Sequence, residues 1–129
     1  MIERTLFTPD HEAFRDSFKR FLDKEVAPFH ADWEEQGFVD RAVWNKAGEN
    51  GFLCATMPEA YGGAEADKLY SVVQMEELNR AGFTGIGFSL HSEIVAPYLL
   101  HYGTDDQKAR YLPKLASGEM IGAIAMSEP

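Results

Sequence analysis

Apolar positions near the start of the chain recur at helical spacing. Phe14, Phe18, Phe21, Leu22 and Val26 fall on one face with polar residues between them, which predicts a helix that buries an aromatic stripe. Thr8-Pro9-Asp10 marks its beginning: Thr8 as N-cap, Pro9 at the first helical position, Asp10 and Glu12 beside the positive end of the dipole. Pro28 interrupts the pattern, and a shorter segment through Trp33 ends near Gly37. Asp40 opens a third helix carrying Val43, Trp44 and Ala47, which stops at Asn50-Gly51.

A loop follows, F-L-C-A-T-M-P-E-A-Y-G-G, rich in helix-breaking residues. Asp67 starts the next helix, with Leu69, Val72, Val73, Glu76 and Leu78 before Gly82. Helical spacing returns from about Gly85 to Tyr102, although Gly85-Ile86-Gly87 and Pro97 weaken it. Thr104-Asp105-Asp106-Gln107 reads as a capping box for a helix through Tyr111 and Leu115 to Gly118, with Pro113 as a kink. The last nine residues, I-G-A-I-A-M-S-E-P, are short, apolar and strand-like. The pattern predicts an all-α fold, a bundle of five to six helices, followed by a short terminal strand-like segment.

Composition narrows the function classes. The chain has 129 residues, 45% of them hydrophobic and 12% aromatic, enough for the core of one domain. A net charge of −9 with no basic cluster opposes binding to nucleic acid or an anionic membrane. The longest apolar-leaning segment, Gly82 to Leu100, contains His91, Glu93 and Pro97 and is too polar for a membrane span. One cysteine, Cys54, excludes an internal disulfide framework and fits a reducing compartment. With an acidic first segment and no long apolar stretch there, the expectation is a cytoplasmic protein without a secretory signal.

Side-chain chemistry is sparse. His11, His30, His91 and His101 are scattered and form no metal-binding spacing, so no metal site is expected. Gly87-Phe88-Ser89-Leu90-His91 imitates most of a nucleophile elbow, but His91 stands where a glycine is needed and no strand precedes it. Gly85-x-Gly87 lacks the strand and third glycine of a dinucleotide fingerprint. Glu34-Glu35 and Glu76-Glu77 are adjacent acids whose side chains point about 100° apart on a helix, which predicts one solvated member in each pair.

Three strings, taken in order, resemble one family. M-P-E-A-Y-G-G (Met57 to Gly63) resembles the P-E-x-Y-G-G loop of acyl-CoA dehydrogenases. Tyr102 to Glu119 resembles that family's G-[ST]-x-x-Q-K-x-x-[YW]-L-P-x-[LM]-x-x-G stretch, and A-M-S-E-P (Ala125 to Pro129) resembles the first half of its flavin motif. F-S-L-H-S-E-I-V (Phe88 to Val95) is closest to the long-chain branch.

The resemblance implies an N-terminal helical domain over 1–120, with 121–129 as the first strand of a middle β-domain. It implies FAD as cofactor, an acyl-CoA thioester of fatty-acid metabolism as substrate, electron-transferring flavoprotein as electron acceptor, and a homo-oligomer. In this family a glutamate base removes the α proton while the β hydride goes to the flavin. The base belongs to the C-terminal domain, beyond residue 129, so no catalytic residue is assigned and the isolated chain is expected to be inactive. Ile124, Ala125, Met126 and the Ser127 hydroxyl match positions that touch the flavin ring. Ile86, Ser89, Leu90 and Glu93 match the helix start that walls the acyl channel. A competing expectation, from the capping and periodicity alone, is a free-standing helical interaction or oligomerisation module on the same scaffold, without chemistry.

Overall fold

A computed structural model describes residues 4–128; Met1 to Glu3 and Pro129, the last residue of the flavin-like motif, lie outside them. Among the described residues the fold is all-α, with no strand. The elements are α1 (Pro9–Glu25), α2 (His30–Gln36), α3 (Arg41–Glu49), a 3₁₀ turn (Glu59–Tyr61), α4 (Lys68–Ala81), α5 (Phe88–Leu90), a π-helical turn (His91–Val95), α6 (Ala96–Tyr102) and α7 (Asp105–Ser117). They divide into two compact units, one built from residues up to Asp40 with Asp67–Ile86, the other from Arg41–Ala66 with the chain from Gly87 onward.

In the first unit α1 packs on α4. Phe18, Phe21, Leu22 and Val26 are buried, as the stripe predicted, with Phe14 half-buried at its edge. Phe14 stacks on Phe18 and Phe18 on Phe21, at 6.4 and 6.1 Å between centroids. Thr8 caps α1 as expected, but its reciprocal partner is His11, whose Nδ1 accepts the Thr8 amide at 3.0 Å. The other ring nitrogen of His11 meets Asp67, which caps α4 by accepting the Leu69 amide at 2.8 Å. One histidine thus joins two helix starts.

The adjacent acids differ from expectation. Glu34 and Glu35 are both exposed, whereas Glu76 and Glu77 are both engaged. Arg15, itself buried, reaches Glu77 at 2.6 Å, Glu76 at 2.9 Å and Glu12 at 3.0 Å. Arg4 adds a contact to Glu76, and Arg80 one to Glu77. Burial opposes the Arg15 charge, but the hydrogen bonds it donates to Glu77, Glu76 and Glu12 outweigh it and raise its pKa. Hydrogen bonding from Arg4 holds the Glu76 carboxyl below its ordinary range. A tertiary partner on α1 overrode the helix-surface reading of Glu77.

In the second unit α7 is the hub, packing against α3, α6 and the 3₁₀ turn. Cys54, Met57, Ala96, Leu112, Leu115 and Ala116 form its buried core. The Thr104–Gln107 capping box is present, with both bonds made, and α7 runs unbroken across Pro113 to Ser117. Gly118 then takes a left-handed conformation, φ 76°, against α3, where an added Cβ would lie 2.2 Å from the Trp44 carbonyl oxygen. Only glycine permits both the backbone angle and that approach.

The segment Phe88–Tyr102 is helical throughout, but its middle turn is π-helical, with the Ala96 amide bonded to the His91 carbonyl. Pro97 explains the widening. Lacking an N–H, it is tolerated in the first turn of a helix, and the extra residue of the π turn lets α6 begin afresh at Ala96 with Pro97 second. After Gly118 the chain makes no regular structure: residues 121–128 form neither helix nor strand. The apolar alternation of Ile121 to Ile124 is legible, yet a strand needs a neighbouring strand for its backbone bonds, and the described residues supply none.

Candidate functional site

An apolar concavity of the second unit lies between the π turn with α6 and the terminal segment. Ile94, Val95, Tyr98 and Leu99 form one wall; Ala123, Ile124, Ala125 and Met126 form the other, around about 590 Å3. Both walls expose apolar side chains: Tyr98 is 68% and Met126 86% accessible. Charged side chains are absent from this lining among the described residues.

The terminal wall is anchored at its beginning. The Gly122 amide donates to His91 Nδ1 at 2.9 Å, and His91 Nε2 donates to the Leu115 carbonyl at 2.9 Å. An amide can only donate and a carbonyl only accept, so the two bonds fix the neutral Nε2–H tautomer. His91 is fully buried, edge-on to Trp44 at 5.2 Å, and burial depresses its pKa against the opposing pull of the Leu115 carbonyl. The Met120 amide bonds the Lys114 carbonyl, and Arg41 bonds the Glu119 carbonyl, so residues 119–122 are tied to α7 and α3. Gly122 also lies tight against the π turn, where an added Cβ would sit 2.7 Å from Val95 Cγ1.

Beyond that anchor the backbone is open. Among the described residues no hydrogen bond engages the amides or carbonyls of 123–126. A backbone with unengaged polar groups, running beside an apolar groove, fits a flat ring system with a polar edge and an apolar face.

The sequence-based site residues separate on this geometry. Ile124, Ala125 and Met126 line the groove, while Ser127 lies exposed just past it. Ile86 is buried in the first unit. Ser89 and Glu93 are half-buried and Leu90 is exposed, and none of the three is a groove wall. The helical wall comes instead from Ile94, Val95, Tyr98 and Leu99, up to two turns further on. Their i, i+1, i+4, i+5 spacing was readable as one face of a helix, but not which face the terminal segment would meet.

Two other readings resolve. Ser89 has no histidine partner, because both His91 nitrogens are taken by Leu115 and Gly122. Gly87 serves as the left-handed start of α5, φ 79°, beneath the Trp44 ring. Cys54 has an uncommon positive φ of 54°, held by its amide bond to Ser92 Oγ at 3.0 Å. Burial pushes its thiol up to about 12, with a smaller opposing pull from Ser92 and a further push from Glu93. That thiol is no nucleophile. No group of three or more metal-ligating side chains occurs among the described residues, and no helix of them is long and apolar enough to cross a membrane.

Residues 8–119 match the acyl-CoA dehydrogenase N-terminal domain. The chain belongs to the acyl-CoA dehydrogenase family. It is 45% identical over 126 residues to the mouse mitochondrial long-chain specific acyl-CoA dehydrogenase, covering 98% of this chain and 29% of that enzyme. Among solved structures, an acyl-CoA dehydrogenase from Geobacillus kaustophilus superposes with a TM-score of 0.92 at 48% identity, over 98% of this chain and 33% of that one. An acyl-CoA dehydrogenase from Bacillus anthracis, complexed with FAD, superposes with a TM-score of 0.88 at 33% identity, over 99% of this chain and 22% of that one. This acyl-CoA dehydrogenase chain therefore spans about a third or less of the length of these relatives, the part that forms their N-terminal helical domain.

Proposed function

We propose that this chain is the N-terminal helical part of an FAD-dependent acyl-CoA dehydrogenase, in which residues from 121 onward open a β-domain. The observation that supports it best is the groove with its two unlike walls: an unengaged backbone at Ala123 to Met126 facing the apolar helical wall of Ile94, Val95, Tyr98 and Leu99. In this reading the amides and carbonyls of Ile124, Ala125 and Met126 bind the polar edge of the isoalloxazine, and the Ser127 hydroxyl adds a donor or acceptor there. FAD, when bound, supplies the acceptor for the hydride lost from the substrate's β carbon. The helical wall holds the acyl tail and excludes water from it.

Ser89, Leu90 and Glu93 precede that wall on the same helical run and remain the candidates for the deeper end of the channel. Glu93 suits that place only with a partner or solvent, since a bare carboxylate beside an acyl tail is costly. No residue of this chain takes the α proton; that base belongs to the C-terminal domain. Electron-transferring flavoprotein as acceptor and a homo-oligomeric assembly belong to the same proposal. The single buried Cys54 supports a reducing compartment, and the mouse relative is mitochondrial by its name, so the cytoplasm is one such compartment rather than a requirement.

The test joins residues 1–129 to the β-domain and C-terminal domain of the Geobacillus kaustophilus relative. The chimera is expected to purify with bound flavin and to oxidise a long-chain acyl-CoA with an artificial electron acceptor, while the 129-residue chain does neither. A folded chimera without flavin overturns the flavin assignment, and an isolated chain that turns over substrate overturns the division of labour.

A further inference from the structure

His91 is a buried, bonded histidine for which the proposed reaction has no direct use. It sits 31 residues from Gly122 in sequence, yet one imidazole joins three parts of the second unit. Its backbone belongs to the π turn, whose last two residues, Ile94 and Val95, are groove wall. Its Nε2–H holds the Leu115 carbonyl in the last turn of α7, and its Nδ1 receives the amide of Gly122, one residue before the other groove wall begins. The ring has no freedom to turn over or to change tautomer: a flip would set C–H groups where both nitrogens stand, and the other tautomer would set a ring N–H against the Gly122 amide and a lone pair against the Leu115 carbonyl.

A second contact acts at the same place. Gly122 is pressed on Val95, so closely that a methyl group there would overlap its side chain. The Met120 and Glu119 bonds tie the chain to α7 and α3 just before this point, and one hydrogen bond and one steric contact, on residues 91 and 95 of the same π turn, are the last contacts before the free segment begins. Farther along, residues 123–126 make no hydrogen bond among the described residues that could set their path independently.

We propose that His91 is the positioning residue of the candidate site: as a neutral Nε2–H imidazole it fixes the path of residues 122–126 along the groove, holding their unengaged backbone where a flavin edge is read. The purpose assigned to this path rests on the flavin reading above; the positioning itself does not. His91 touches neither substrate nor cofactor in this assignment and acts only through Gly122.

Three substitutions separate the two bonds. His91→Asn places an amide oxygen near the site of Nδ1 and keeps an acceptor for Gly122 while losing Leu115. His91→Gln places its amide nitrogen near the site of Nε2 and keeps the donor to Leu115 while losing Gly122. His91→Phe keeps the packing on Trp44 and loses both.

The measurement is amide hydrogen exchange of Gly122 in the full 129-residue chain, read beside the amides of Leu112, Lys114, Leu115 and Ala116 as an internal standard for α7. Gly122 exchange is expected to rise about tenfold in the Gln and Phe variants, the value of one net hydrogen bond, and to stay near wild type in Asn. A purely structural role would instead raise Gly122 and α7 exchange together, in proportion to each variant's loss of stability, and that result overturns the proposal. Nitrogen-15 spectra of the wild-type ring provide a check that needs no variant. They are expected to show an unprotonated Nδ1 coupled across the hydrogen bond to the Gly122 amide; a protonated Nδ1 at neutral pH overturns the proposal. Neither measurement contains flavin, so a chimera that fails to bind FAD would count against the functional reading alone.

Discussion

The Gly122 amide donates to Nδ1 of a fully buried His91, whose Nε2 in turn donates to the Leu115 carbonyl. This three-point junction connects the end of α7, the π turn and the terminal segment, and it defines where the apolar groove begins. The groove's two walls come from distant chain segments that this junction and the Gly122–Val95 contact bring together.

Gly122→Ala should disturb that junction by overlap with Val95. An expected loss of about 1–3 kcal/mol, typical of overpacking, should appear in urea unfolding. Val95→Ala in the same chain should restore part of it, and a double-mutant cycle without coupling would show that the contact is not what constrains residue 122.

Acid should weaken the fold in two steps. His91 has a depressed folded pKa, so stability is full above its unfolded value of about 6.5 and is lost as pH falls from there through the folded one. The ring meets the Trp44 indole, the Leu115 carbonyl and the Gly122 amide, none of which titrates. The Glu76 carboxyl, held down first by Arg4, adds a lower step that begins near its unfolded value of about 4.3. Urea midpoints from pH 8 to 3 should show both; His91→Phe should remove the upper step and Glu76→Gln the lower.

Glu77→Ala should cost about 3 kcal/mol, at the low end of the range for breaking a buried pair, because Arg15 keeps Glu76 and Glu12. Arg15→Met with Glu77→Leu should cost less than Glu77→Ala alone, since no buried charge is left behind. Equilibrium unfolding of the wild type and the two variants decides the order.

Cys54 should resist alkylation in the native state at pH 8, because its thiol is buried and its pKa stands near 12. Titration with a disulfide reagent should detect the thiol only in denaturant, and rapid labelling of folded protein would contradict this environment.

The helix starts were legible because capping is local. Thr8, Asp67, and Thr104 with Gln107 satisfy amides within three residues, and the left-handed Gly37, Gly82 and Gly118 end helices for equally local reasons. The Phe18, Phe21, Leu22 and Val26 stripe was legible because burial imposes a 3.6-residue period. The family resemblance, too, rested on contiguous strings such as Met57 to Gly63.

Tertiary structure decided the rest. Glu77 became an interior ion-pair partner because Arg15 comes from a different helix, and no spacing on α4 encodes that. His91 became a junction because its two partners lie 24 and 31 residues away, and the π turn that presents it depends on Pro97. The groove faces Ile94, Val95, Tyr98 and Leu99, rather than the earlier turn at Ser89 to Glu93, because Gly122 docks on Val95. Local sequence specified where helices begin and which faces are apolar. Which of those faces meet, and which polar atoms find partners, follows from distant segments packed together and is written in no single stretch of the chain.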